Sequence, residues 1–283
     1  MIDAILHYSF MRNALFAALL ASIVSGIIGT IAIEKKLVSM SGGIAHASFG
    51  GIGLGYLLGF EPIWGGLLFA VGASCAVCKL SEQNRVKADT MIGILWSFGM
   101  ALGILFITLA PGYMPDMTSY LFGDILTVSK HSLLAMAGFT LIVGFVFAVF
   151  YHHLVLYLFD EEYAHARGMR VHLMEWIVYL MIPVGIIVLV KVVGIILTIA
   201  LLTMPVSIAK MLFRSIGKVI VSAMAVSFIF CLAGLTLAYY LNIPSGVSIV
   251  IISAITYFLM AALRDRVRKW RHKRMKHAAE PSA

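Results

Sequence analysis

Long apolar runs alternate with short polar breaks along almost the whole chain. Runs of membrane length occupy residues 13–33, 38–59, 63–80, 90–110, 132–151, 219–241 and 245–263, and one longer block fills 174–212. A helix rises 1.5 Å per residue, so about 20 apolar residues cross the roughly 30 Å of hydrocarbon in a bilayer. As a single helix the 174–212 block would be about 58 Å long, nearly twice that thickness. It must therefore turn, and Lys191 and Gly194 put a charge and a glycine near its middle. The pattern predicts an all-α polytopic membrane helix bundle of about nine spans. Eight remains open, because part of the 174–212 block could enter the membrane and return. Residues 1–263 read as one transmembrane domain and 264–283 as a basic tail.

The longest polar break is 159–176, FDEEYAHARGMRVHLMEW. Acidic residues come first (Asp160, Glu161, Glu162), then a helical stretch through Ala164 that Gly168 interrupts, with Arg167, Arg170 and His172 around the interruption. Held between two membrane spans, such a segment must sit in water on one face of the bilayer, where it is placed to meet another protein. Lysine and arginine choose the face. They recur in every second connection: Lys35 and Lys36, then Lys79, Arg85 and Lys87, then Arg167 and Arg170, then Lys210, Arg214 and Lys218, and finally the tail. The alternate connections hold only Lys130 and Lys191. Cytoplasmic loops carry the excess of basic residues. The bias predicts an N-terminus outside, a C-terminus in the cytoplasm, and 159–176 facing the cytoplasm.

Composition sharpens the class. The chain has 283 residues, 61% hydrophobic and 12% charged, with a mean hydropathy of +1.01. A soluble domain carries about 25% charged residues, so this surface is made for lipid. The net charge of +8 gathers in the tail and the short loops and gives no nucleic-acid signal. Cys75, Cys78 and Cys231 all lie in apolar runs and imply no disulfide framework. The first apolar run is too long for a signal-peptide core and lacks an A-x-A exit, so no cleavable leader is expected.

Few residues could carry chemistry. His46 stands in an apolar, glycine-rich span with no acid in the same span. Ionisable groups at such depth are costly and face the bundle interior or a water-filled path. A neutral imidazole is also the commonest transition-metal ligand, so His46 is the metal candidate, with a packing histidine as the alternative. Its span carries Gly42, Gly43, Gly50, Gly51 and Gly55, which suit either close helix packing or a passage wall. Cys75 and Cys78 share one helix face but lack a second ligand pair, and packing is the better reading. Pro183 and Pro205 break the backbone hydrogen-bond ladder within spans and are hinge candidates. Asp116 and Asp124, in the mixed segment before the fifth span, could meet an incoming cation or a partner. There is no G-x-x-x-x-G-K-[ST] and no H-E-x-x-H. If ATP powers transport, its hydrolysis belongs to a separate subunit.

Four stretches carry a family resemblance: SGGIAHASFGGIGLGYLLG at 41–59, YLFGDILTVS at 120–129, FDEEYAHARG at 159–168, and 192–252 from VVGIILTIALLTMPVSIAKML to YYLNIPSGVSIVII. In this order the chain resembles the permease subunit of ATP-binding-cassette importers of divalent metals (zinc, manganese, iron), with a distant similarity to the vitamin B12 permeases. The resemblance implies two permease copies in a prokaryotic inner membrane, an extracytoplasmic metal-binding protein, and a cytoplasmic ATP-binding subunit. That subunit would dock on Asp160, Glu161, Glu162, Ala164, Arg167 and Gly168. The metal would be cargo, zinc first with manganese or iron as alternatives, and no cofactor would be stably bound. The family commonly places an aspartate four residues before the span-two histidine. Here that position is Gly42, which leaves one imidazole per chain. Siderophore, haem or cobalamin permeases are the nearest competing reading, though their chains are usually longer. An ion-coupled secondary transporter would call for paired charges within spans or an inverted repeat, and neither is evident.

Overall fold

The computed structural model describes residues 8–82, 88–111, 123 and 125–279. Arg85, Lys87, Asp116 and Asp124, named above, lie outside the described residues. Among the described residues there are ten α-helices and no strand: α1 (Ser9–Glu34), α2 (Val38–Leu58), α3 (Pro62–Glu82), α4 (Ala88–Leu109), α5 (Lys130–Phe159), α6 (Glu161–Ala166), α7 (Val171–Val193), α8 (Ile195–Leu212), α9 (Ile216–Leu241) and α10 (Ser245–Ala279). A 3₁₀ turn, Ile125–Thr127, precedes α5. The fold is the all-α membrane bundle that the apolar pattern predicts.

All of these helices except α2 and the short α6 are long and apolar enough to cross a bilayer. The 21 residues of α2 give it about 31 Å, a span length, but its glycines, serines and His46 lower its apolar content. It compensates by being enclosed in protein, since most of its residues are buried. The 174–212 block turns where expected. α7 ends at Val193, Gly194 adopts φ 81°, and α8 begins at Ile195. A non-glycine residue at Gly194 would pay for that left-handed backbone.

Helix ends depart from the apolar runs. α5 continues to Phe159, eight residues past its run, α7 starts at Val171, and α10 continues to Ala279. The tail beginning at residue 264 is therefore the continuation of the last helix. Lysine and arginine are good helix formers, and no proline interrupts before Pro281.

Two groups of helices form the bundle. α2 packs between α3 and α4, and α1 packs against α8, α9 and α5, while α7 bridges the groups through α3, α2 and α5. Lipid tails are as apolar as the helix surfaces, so these contacts rest on close packing and interhelical hydrogen bonds. α1 buries a stripe of small residues, Ala14, Ala17, Ala18, Ala21, Ser22 and Ser25. Ser25 and Ser227 meet at 3.2 Å across the α1–α9 contact.

Charged pairs mark the two ends. At one end Lys35 meets Glu161 at 2.9 Å and Lys210 meets Glu34 at 3.0 Å. At the other, Lys191 meets Glu61 at 3.2 Å, beside a cleft of about 490 Å³ rimmed also by His131. The connections that charge bias assigns to a common face thus share an end of the bundle.

Candidate functional site

α2 carries the candidate residues, and its glycines fall into two kinds. A Cβ on Gly51 would run into the backbone of Gly65 on α3. One on Gly50 would meet Gly99 O and Phe69 at 2.9 Å, one on Gly43 would strike Ile92, and one on Gly55 would lie 2.6 Å from Pro62 Cα. These four are places of close approach, where α2 touches α3 and α4. Gly42 differs, because a Cβ there would find only Ile199 Cδ1, at 3.9 Å. Gly42 opens onto a cleft of about 420 Å³ lined also by Val38, Ser39, Ile92, Trp96 and Ile199.

His46 lies one turn beyond Gly42 on the same face of α2. Its imidazole stacks on Trp96 of α4, with ring centroids 4.5 Å apart and planes 4° from parallel. Trp96 therefore belongs both to the cleft wall and to the histidine. Among the described residues, His46 Nδ1 is the one enclosed side-chain nitrogen or oxygen without a hydrogen-bond partner. Burying such a group unpaired is costly, so Nδ1 has room for a further partner, whether a water or an ion. Among the described residues no three His, Cys, Asp or Glu side chains gather into a group able to hold a metal ion. A cation at His46 would have one ring nitrogen from this chain and would need its other ligands from elsewhere.

The polar segment folds into α6 and the turn after it. Asp160 caps the helix, its carboxylate accepting from Tyr163 N at 2.8 Å. Glu161 and Glu162 occupy the first turn, where negative charge complements the helix dipole. Ala164 is buried, whereas Glu161, Glu162 and Arg167 are exposed. Gly168 closes the helix at φ 75°: its N–H bonds His165 O at 2.9 Å, and Met169 N–H bonds Ala164 O at 3.1 Å. That pair of bonds is a Schellman stop. The segment presents acidic and basic groups on a short rigid helix beside the Lys35–Glu161 pair.

Pro183 and Pro205 lie buried inside α7 and α8, and both helices continue through them. Pro183 cannot donate to Tyr179 O, and Ser74 Oγ of α3 takes that carbonyl instead, at 2.5 Å. The break in α7 is thus tied to its neighbour. Cys75, Cys78 and Cys231 form no disulfide, and the last two are buried.

Sequence reasoning missed Trp96, although its position carries a signal. Tryptophan in membrane proteins favours the interfaces, and Trp96 sits well inside the 90–110 span. It also missed the ion pairs at the helix ends, because their partners are 126 to 176 positions apart.

Comparison with known proteins supports the same picture. Over 284 residues the chain is 31% identical to the manganese transport system membrane protein MntC of Halalkalibacterium halodurans, covering 99% of this chain and 97% of that protein. It is 37% identical over 259 residues to an uncharacterized membrane protein of Synechocystis sp., slr2045, covering 92% of each. Its fold matches PsaBC from Streptococcus pneumoniae, solved in complex with a Fab, with a TM-score of 0.82 at 28% identity over 92% of this chain and 93% of that one. The ABC 3 transport family model matches residues 7–264. With that model covering nearly the whole chain, the chain belongs to the ABC 3 transport family.

Proposed function

We propose that this chain is the membrane permease of an ATP-driven importer that carries a divalent transition-metal ion into a prokaryotic cell. The observation that carries this is the end-to-end likeness to proteins named as manganese transport membrane proteins. Zinc is the first expectation from the sequence, but the relatives' names put manganese ahead of it, with zinc and ferrous iron next. All three accept imidazole, and selectivity among them rests on geometry rather than on raw affinity. The metal is cargo, and no cofactor stays bound.

The bias of lysine and arginine supports an orientation with the N-terminus outside and the tail in the cytoplasm. α6 and its turn then face the cytoplasm. There Asp160, Glu161, Glu162, Ala164, Arg167 and Gly168 dock a separate ATP-binding subunit, which hydrolyses the nucleotide. A second permease copy places a second His46 across the path, and an extracytoplasmic binding protein delivers the ion. Among the described residues, His46 is the histidine with an enclosed, unpartnered Nδ1, and it stacks on Trp96 of the cleft wall.

The test is uptake of radiolabelled manganese, zinc and ferrous iron into vesicles reconstituted with the permease, its ATP-binding subunit and its metal-binding protein. Wild type takes up at least one of the three when ATP is supplied, and His46→Ala lowers that uptake at least tenfold while still inserting in the membrane. Undiminished uptake in the variant removes His46 from the path, and a wild-type complex that carries none of these ions overturns the permease reading.

A further inference from the structure

We propose that Lys35 is a positioning residue that transmits movement of α6 to the walls of the cleft beside His46; this rests on the permease reading above. Lys35 Nζ is 2.9 Å from Glu161 Oε2, at the start of α6, and lies 3.4 Å from the centroid of the Tyr157 ring near the end of α5. Its side chain is only 16% exposed. Glu161 is 54% exposed, so the tyrosine ring and the lysine stem hold the pair in place while water still reaches the carboxylate.

The backbone that holds Lys35 is stiff. α1 ends in a Schellman stop, with Leu37 N–H bonded to Ala32 O at 2.7 Å and Lys36 N–H to Ile33 O at 3.2 Å. Lys36 occupies the left-handed region at φ 60°, and α2 begins two residues later, at Val38. The same turn reaches a third helix, because Glu34 Oε1 receives Lys210 Nζ from the last turn of α8 at 3.0 Å.

α2 and α8 are the two helices so tied, and both line the cleft, α2 through Val38, Ser39 and Gly42 and α8 through Ile199. From Val38, where α2 begins, to Gly42 is about 6 Å along the helix axis. A pull on Glu161 therefore reaches the cleft through one ion pair and one closed turn, with no flexible loop between. Interfaces of this kind move between discrete arrangements rather than bending gradually.

A double-mutant cycle tests this in the complete reconstituted complex, reading metal taken up per ATP hydrolysed. Lys35→Met keeps the hydrocarbon stem over Tyr157 and removes the charge, and Glu161→Gln removes its partner. Lys35→Met lowers the ratio at least fivefold while hydrolysis continues, Glu161→Gln lowers the ratio as well, the double change lowers it no further than the worse single, and Lys35→Arg keeps at least half. Residues acting through one contact behave in this non-additive way. Unchanged ratios, losses that multiply in the double variant, or a joint fall of hydrolysis and uptake in Lys35→Met overturn the relay. A wild-type complex that carries no metal instead defeats the permease reading, and the relay falls with it.

Discussion

At the scale of single residues, the site is defined by what His46 has and what it lacks. It has an indole against its face and an enclosed Nδ1 without a hydrogen bond. It lacks a carboxylate one turn away, where Gly42 stands. The space at Gly42 makes that absence testable. Gly42→Asp fits beside Ile199 and brings a carboxylate to the histidine's face of α2. Carboxylates suit manganese, so the substitution lowers the concentration of manganese for half-maximal uptake about tenfold, a gain of about 1.4 kcal/mol in binding. Kinetics of uptake in vesicles measure it, and no change in that concentration shows that the cleft does not hold the ion. His46 was legible in the sequence because an ionisable group in a glycine-rich span is conspicuous. Trp96 was not, because stacking across helices depends on the register of α2 against α4, and neither helix encodes that register alone.

At the scale of elements, composition told where helices cross the membrane but not where they end. The apolar run of the fifth span stops at Tyr151, while α5 continues to Phe159. Hydrophobicity marks the edge of the lipid, whereas the helix stops only where Asp160 turns to extended backbone and caps the next one. Pro183 illustrates the same limit. A proline within a span was legible as a broken backbone ladder, but its repair came from another helix through Ser74. Ser74→Ala leaves Tyr179 O without that bond at a partly buried helix contact. The loss costs about 1 kcal/mol and loosens the α3–α7 contact. Thermal unfolding of the detergent-solubilised protein reads it as a lowered midpoint, and an unchanged midpoint shows that another donor replaces Ser74.

At the scale of the whole molecule, charge alternation and three ion pairs give one consistent sorting of the connections between two ends. The sequence carried this well, because alternation over many spans is a redundant signal in which a single odd residue, such as Lys191, changes nothing. The basic residues set an expectation for which end faces the cytoplasm, and it is open to direct measurement. In a background with Cys75, Cys78 and Cys231 replaced by serine, Ile243→Cys reacts with a membrane-impermeant maleimide on intact cells. Arg214→Cys reacts only after the membrane is opened. The reverse pattern inverts the topology, and equal labelling of both places the two connections on one side.

The low apolar content of α2 has a consequence for how the protein is made. Helices partition from the insertion machinery into lipid according to their own apolar content, and α2, unlike α1, α3 and α4, is not among the helices apolar enough to count as a span by themselves. It emerges before α3 and α4, the helices that later enclose it. During synthesis α2 must therefore wait beside the machinery or cross only provisionally, and its place becomes secure when the next two helices arrive. The glycines that let the finished bundle close so tightly around His46 thus leave that helix dependent on α3 and α4 for its place.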